Sequence, residues 1–211
     1  MTTKNSLIVI GLLIIVSAAI GFYFYPFFPA EVASHWGMDG EVNGYMPKFW
    51  AVTLMPLLML GMTGLFIWLP KIDPLKENIS AFRKEYNLLI TAIIAFLFYI
   101  NLLTLFWNAE YHFDMAAWIA PALGILWFFI GTVLPKTKRN WFMGIRTPWS
   151  LSSDRVWKET HEFGGKLFKL SGMIAILGLF FPKDALWLVL TPVIFSSVAV
   201  VVYSYISFKK K

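Results

Sequence analysis

The 211-residue sequence has no cysteine. Disulfides, thiolate catalysis and cysteine-based zinc sites are therefore excluded, and cysteine usage says nothing about the redox compartment. Charge is also scarce. Only 14% of the residues are Asp, Glu, Lys or Arg, against roughly a quarter in a soluble domain. No ionisable residue lies deep in any of the long apolar runs, which argues against a proton relay or an ion pump. The alternating short segments of a β-barrel are missing. No internal repeat emerges, so an inverted-repeat transporter finds no support. There is no Ser/His/Asp nucleophile arrangement, no P-loop, no dinucleotide fingerprint and no HExxH zinc motif.

What is present is apolar sequence: 58% hydrophobic and 18% aromatic residues, with a mean hydropathy of +0.67. It comes in runs of about 20 residues, the length that crosses a bilayer as helix. Six runs stand out, at roughly 7–25, 49–69, 88–107, 116–134, 165–181 and 185–208. Pro26, Pro70, Pro135 and Pro182 follow four of them as stop signals, and Pro56 predicts a kink in the second. The first run resembles a signal peptide in its Lys4 and its Val16-Ser17-Ala18, but it continues to Phe28, so it reads as an uncleaved first helix. The expected fold is all-α: a polytopic six-transmembrane-helix bundle. Its expected parts are a two-span unit over 1–70, with a compact loop at 29–48, and a four-span unit over 71–211, with a polar loop at 135–164.

Charge orients this bundle. Of the 18 Lys and Arg residues, all but Lys48 and Lys183 fall on the side that carries both termini. The positive-inside rule makes that side cytoplasmic, N-in and C-in, in the plasma membrane. Glu31, Asp39, Glu41, Glu110, Asp114 and Asp184 fall on the other side. That outer face is net negative and would attract cationic ligands; a scatter of solvated carboxylates is the plainer reading. The net charge of +6 is what insertion and anionic lipid produce, so it does not point to nucleic acid.

Three stretches carry candidate chemistry. The outer loop, Pro29 to Lys48, holds His35, Trp36, Gly37, Gly40 and Gly44, with turn dipeptides Asp39-Gly40 and Asn43-Gly44. It reads as a compact cap. His35, Asp39 and Glu41 are weak candidate metal ligands without a spaced motif; no metal or cofactor is expected. The third run carries Asn87, Thr91, Asn101, Thr104 and Asn108 within an arc of roughly 140° at 100° per residue. Such a stripe faces the bundle interior, either as interhelical hydrogen-bond glue or as a crevice lining. The inner stretch, Lys138 to His161, is the longest polar segment. Asn140 to Trp149 is too rich in Gly, Pro and aromatics for helix, and Pro148 forces Thr147 into an extended conformation. A helix is predicted from Ser152 or Ser153, with Asp154 at its positive end, beginning as an interfacial amphipathic segment and running into the fifth apolar run. On it Trp157, His161, Gly164 and Phe168 share one stripe, and Lys158, Glu162 and Lys166 form a charge ladder. Trp141, Trp149 and Trp157 suit the headgroup region. Arg146 reads equally as a snorkelling side chain bonded to helix-end carbonyls and as an anion clamp.

The run Asn140-Trp-Phe-Met-Gly144-Ile145-Arg146-Thr147-Pro148-Trp149-Ser150-Leu151-Ser152, with Val156-Trp157 and Thr160-His161, resembles the SdpI family of bacterial immunity proteins. His35-Trp36-Gly37-Met38-Asp39-Gly40, ending in Lys48, is similar to the domain of unknown function commonly fused ahead of it. The resemblance implies a multi-spanning membrane protein that protects the cell from a secreted, membrane-active toxin peptide. It further implies signalling in which the toxin-engaged protein holds a cytoplasmic repressor at the membrane. The family motif residues it transfers are Asn140, Gly144, Arg146, Thr147, Pro148, Trp157 and His161 inside, and His35, Gly37, Asp39 and Gly40 outside. Its implied partners are a toxin peptide, membrane lipid and that repressor. Recognition is expected at 35–48 and on the Asn101–Asn108 stripe, with the inner stretch as a latch. A metal-dependent membrane enzyme and a transporter of small molecules or lipid remain as alternatives, although no catalytic motif is seen.

Overall fold

The computed structural model describes residues 1–37 and 40–210. Six long helices correspond to the six apolar runs: α1 (Thr3–Phe24), α2 (Lys48–Ile72), α4 (Arg83–Asn108), α5 (Met115–Val133), α7 (Asp154–Ile176) and α8 (Ala185–Lys209). Short helices α3 (Lys76–Ala81) and α6 (Pro148–Ser152) lie in the two polar loops. A β-hairpin of β1 (Glu31–Trp36) and β2 (Val42–Pro47) joins α1 to α2. The molecule is an all-α membrane bundle with this one small sheet.

Five of the long helices are apolar enough to cross a membrane, the exception being α7. Its first half carries Asp154, Arg155, Lys158, Glu159, Glu162 and Lys166, because that half belongs to the polar stretch. Yet α7 runs antiparallel to α5, with Gly165 against Gly131 and Gly172 against Gly124. It also runs antiparallel to α8, where Ser171 bonds Ser196 and Arg155 reaches the Ser207 carbonyl.

The α5–α7 seam is built from glycine. A Cβ on Gly131 would sit 2.7 Å from the Gly165 carbonyl oxygen, and one on Gly124 2.6 Å from that of Gly172. In each helix the two glycines are two turns apart and so lie on one face. Lipid tails are as apolar as leucine, so helices in a bilayer gain little from burying apolar side chains. They gain from close backbone contact, which only small residues allow.

The first three long helices pack on each other through Ile10, Met59, Tyr86, Ile90 and Ile94, with Ile79 and Phe82 of the α3 region. Their polar groups meet inside. Ser6 bonds Thr91, at 2.6 Å, and Asn101 donates to Ser17, at 2.8 Å.

Three expectations need correction. Pro70 does not end α2, which continues to Ile72. A proline lacks the N–H that would bond the Phe66 carbonyl one turn back, and the Tyr86 hydroxyl donates to that carbonyl instead, at 2.7 Å. Asn43-Gly44 is not a turn but part of β2, with Gly44 opposite His35. The reversal falls earlier, where the Gly37 N–H bonds the Glu41 carbonyl at 2.8 Å and Gly40 has φ +80°; Met38 and Asp39 lie outside the described residues. Trp157 is not at the headgroups: it is 2% exposed, enclosed by the loop that folds over it. The fifth run is the later part of a longer helix that starts at Asp154, capped by Ser153, as the helix start expected near Ser152 or Ser153 implies.

Gly131→Leu should force α5 and α7 apart and lower stability by about 1–3 kcal/mol. The melting temperature of the purified protein in detergent measures this, with Gly61→Leu as control, since nothing lies within 4 Å of a Cβ there.

Candidate functional site

At the end of the bundle that carries both termini, residues 137–153 fold into a knot over the start of α7. Asn140 is fully buried and makes four hydrogen bonds. Its Nδ2 donates to the Lys138 and Met143 carbonyls, both at 2.9 Å. Its Oδ1 accepts from the Phe142 and Met143 amides, at 3.0 and 2.7 Å. One amide side chain thus closes the turn that no helix or sheet ladder supplies.

Gly144 follows with φ +113°. A Cβ there would collide with the His161 Nε2 and lie 3.1 Å from the Trp157 ring. His161 is 1% exposed and stacks on Trp157 with ring centroids 4.0 Å apart. Its Nδ1 lies 2.7 Å from the Trp157 carbonyl, which only accepts, so Nδ1 carries the proton. Its Nε2 accepts from the Ile145 amide at 2.9 Å. The ring is therefore held neutral, and burial pushes its pKa down to about 4. Trp157 completes the knot, donating from Nε1 to the Thr137 carbonyl at 3.1 Å.

Thr147 is extended, with φ −106° and ψ 161°, as Pro148 requires. It caps α6 through a reciprocal pair with Ser150, at 2.9 and 3.0 Å. Its Oγ1 also meets Ser204 of α8 at 2.9 Å, and Pro148 takes the first helical position. Arg146 is exposed and donates to the Trp141 carbonyl; no carboxylate pairs with it among the described residues. Of its two readings, the bond to a backbone carbonyl is the contact seen. Ser153 caps α7, as its sequence suggested.

The partners that bind this knot to the rest were harder to read from local sequence. Buried Asp73 accepts from the Leu75 amide at 2.7 Å and the Trp141 amide at 2.9 Å. Asn78 donates to the Arg139 carbonyl at 2.8 Å. Arg155 donates to the Ser207 and Lys210 carbonyls at the end of α8, at 3.0 and 2.6 Å, and pairs with Glu159 at 3.0 Å. The Ser207 hydroxyl, with Arg155 beside it, holds the Glu159 carboxyl below the usual range. Only Asp73-Pro74 carried a local signal, as a turn dipeptide.

At the opposite end of the bundle, Asn108 fixes the hairpin. Its Oδ1 accepts from the Ala33 amide at 2.8 Å, and its Nδ2 donates to the Ala33 and Thr104 carbonyls, both at 2.9 Å. A side-chain amide at the end of α4 thereby pairs with β1 as a neighbouring strand would. Lys48 donates to the Phe28 carbonyl at 3.0 Å and lies over the Tyr25 ring, tying the hairpin's exit to its entry.

Under the hairpin a cleft of about 610 Å³ opens between α2, α4, α5 and α8. His35, Trp36, Gly37, Asn43 and Thr104 give it a polar roof, while Met55, Ile100, Ala116 and Leu186 are among its apolar walls. The His35 Nδ1 bonds Asn43 at 2.5 Å. The Trp36 indole N–H is buried with no hydrogen-bond partner among the described residues. Gly40 sits in the turn, and Asp39 lies outside the described residues. Asn101 lies in the α1–α4 contact rather than on the cleft. Among the described residues, no three His, Asp or Glu side chains converge to hold a metal.

Residues 136–205 match the SdpI/YfhL protein family. That segment is similar to the family over about a third of the chain. The matched segment contains nearly all of the knot, with α6, α7 and most of α8. Residues 12–60, from α1 through the hairpin into α2, match a domain of unknown function, DUF1648. Over 187 residues the chain is 25% identical to the immunity protein SdpI of Bacillus subtilis (strain 168), covering 88% of this chain and 87% of that protein. No solved structure matches it.

Gly144→Ala should destabilise the SdpI-type knot by about 1–3 kcal/mol through backbone strain, beyond the clash with His161. Limited proteolysis of the 137–153 segment in membranes reads this. The neutral His161 sets a pH dependence. Its folded pKa of about 4 lies below the ordinary value of roughly 6.5, so between the two only the unfolded loop takes up the proton. The stabilisation is complete above about pH 6.5 and is lost as pH falls through about 4. Tryptophan emission should therefore change with a midpoint well below pH 6.5, and His161→Gln should remove that transition.

Proposed function

We propose that this protein is a plasma-membrane immunity protein that protects its cell from a secreted, membrane-active toxin peptide. The observation that carries this reading is the similarity to an immunity protein along nearly the whole of both chains. We further propose six spans with both termini in the cytoplasm. The support is the confinement of basic residues to one side and the course of α7 alongside α5 and α8.

In this reading the toxin is met from outside, at the cleft under the hairpin. The cleft suits an amphipathic peptide: apolar walls from four long helices, with Trp36, His35 and Asn43 at the rim. The acidic outer residues would draw a cationic segment toward it. The inner knot then acts as the latch that holds α5, α7 and α8 in register. Its exposed rim around Arg146 would be the face offered to a cytoplasmic repressor.

Expression in a toxin-sensitive host, challenged with an Sdp-type peptide, tests the reading. The wild-type chain should restore survival. Ala116→Phe, which fills the cleft, should abolish protection at normal membrane accumulation. Full protection by that variant would rule the cleft out as the toxin site. Arg146→Ala should insert normally and lose protection or repressor recruitment; wild-type behaviour in both would remove the inner rim from the mechanism.

A further inference from the structure

A second cavity, of about 300 Å³, lies at the inner end of the α1–α2–α4 group. Ile10, Asn87 and Ile90, all buried, form its floor. Leu7 of α1 and Ile67 of α2 flank it, and both are exposed on the outside of the bundle. The cavity therefore opens sideways, between two helices that face lipid. Its rim carries Lys71, at the end of α2, and Arg83, at the start of α4.

The polar groups inside are already engaged. The Ser6 hydroxyl bonds Thr91, the Asn87 Nδ2 donates to Thr3, and the Thr63 hydroxyl donates to the Met59 carbonyl. The two cations are not neutralised. Among the described residues neither Lys71 nor Arg83 forms an ion pair. Arg83 is half-buried and held over the Tyr86 ring at 5.4 Å, a contact that aims the guanidinium without cancelling its charge.

Two unneutralised cations above an apolar slot that opens to the bilayer complement one kind of molecule, an amphiphile with an anionic head. Basic pockets between spanning helices at the cytoplasmic surface are where such headgroups are held. We propose that this cavity binds an anionic phospholipid, its phosphate between Lys71 and Arg83 and an acyl chain along Leu7, Ile10 and Ile67. The lipid would fill the seam between α1 and α2, which meet α4 there.

Native mass spectrometry of the purified full chain tests this, after exchange into detergent with either phosphatidylglycerol or phosphatidylcholine. One phosphatidylglycerol per chain should be retained, and phosphatidylcholine should not. Lys71→Gln with Arg83→Gln should weaken retention roughly tenfold or more, at about one factor of several per cation. Lys71→Gln alone, at an exposed position, should weaken it several-fold and serves if the double variant fails to fold. Lys158→Gln with Lys166→Gln removes the same charge elsewhere on the inner face and should leave retention unchanged. Equal retention of phosphatidylcholine, or equal loss in the control variant, would overturn the site. Displacement by millimolar inorganic phosphate would also overturn it, since that would mark a free-anion site rather than a lipid site.

Discussion

The glycine contacts between α5 and α7 bring two backbones so close that no side chain fits between them. That closeness fixes the position of a helix whose own sequence, in its first half, is more polar than that of the other long helices. Once α7 is seated against α5, Trp157 and His161 face the chain that leaves α5 at Pro135, and Arg155 and Ser171 face α8. The knot, the end of α8 and the inner rim all follow from that seating.

The second constraint is the supply of hydrogen bonds where helices end near lipid. Backbone groups there have little water to turn to, and the chain answers each with one side chain. Asn140 satisfies a whole turn. Tyr86 takes the carbonyl that Pro70 leaves free, and Asn108 stands in for a strand. Asp73 closes its own turn and the neighbouring loop together. The inner family motif is, on this account, mostly a set of internal partners. Many of its residues bond one another, while Arg146 is exposed and has no carboxylate partner among the described residues. The cleft under the hairpin is the opposite case, an open space lined by Trp36, whose buried indole N–H has no partner among the described residues. This contrast supports the proposal that recognition lies at the cleft and transmission at the knot.

Much was legible in the sequence, for plain reasons. Apolar run length gives the long helices, because the bilayer sets how much helix must be apolar. Ser153 and Thr147-Pro148 could be read locally, because caps and pre-proline geometry depend on neighbours in the chain. Gly144 and His161 could be singled out, but not joined, since sixteen residues and a helix start lie between them. The α4 stripe was readable as buried. Which of its members bond and which line a space depended on the helices opposite: Ser17 meets Asn101, the hairpin meets Asn108, and Thr104 is left facing the cleft.

By itself the sequence determined the helices, the charge asymmetry, the caps and the motif that resembles the SdpI/YfhL family. These are properties of short segments or of composition, and each needs only the chain and its solvent. Only the tertiary structure decided that Trp157 is core rather than headgroup anchor, that 31–47 is a hairpin pinned by α4, and that α7 travels with its neighbours. It alone placed the two cavities, at opposite ends of the bundle. Those outcomes depend on pairs far apart in sequence, such as Gly131 with Gly165, Asp73 with Trp141 and Lys71 with Arg83 across a groove. No local pattern records a distance between two helices, and a cavity is made of such distances.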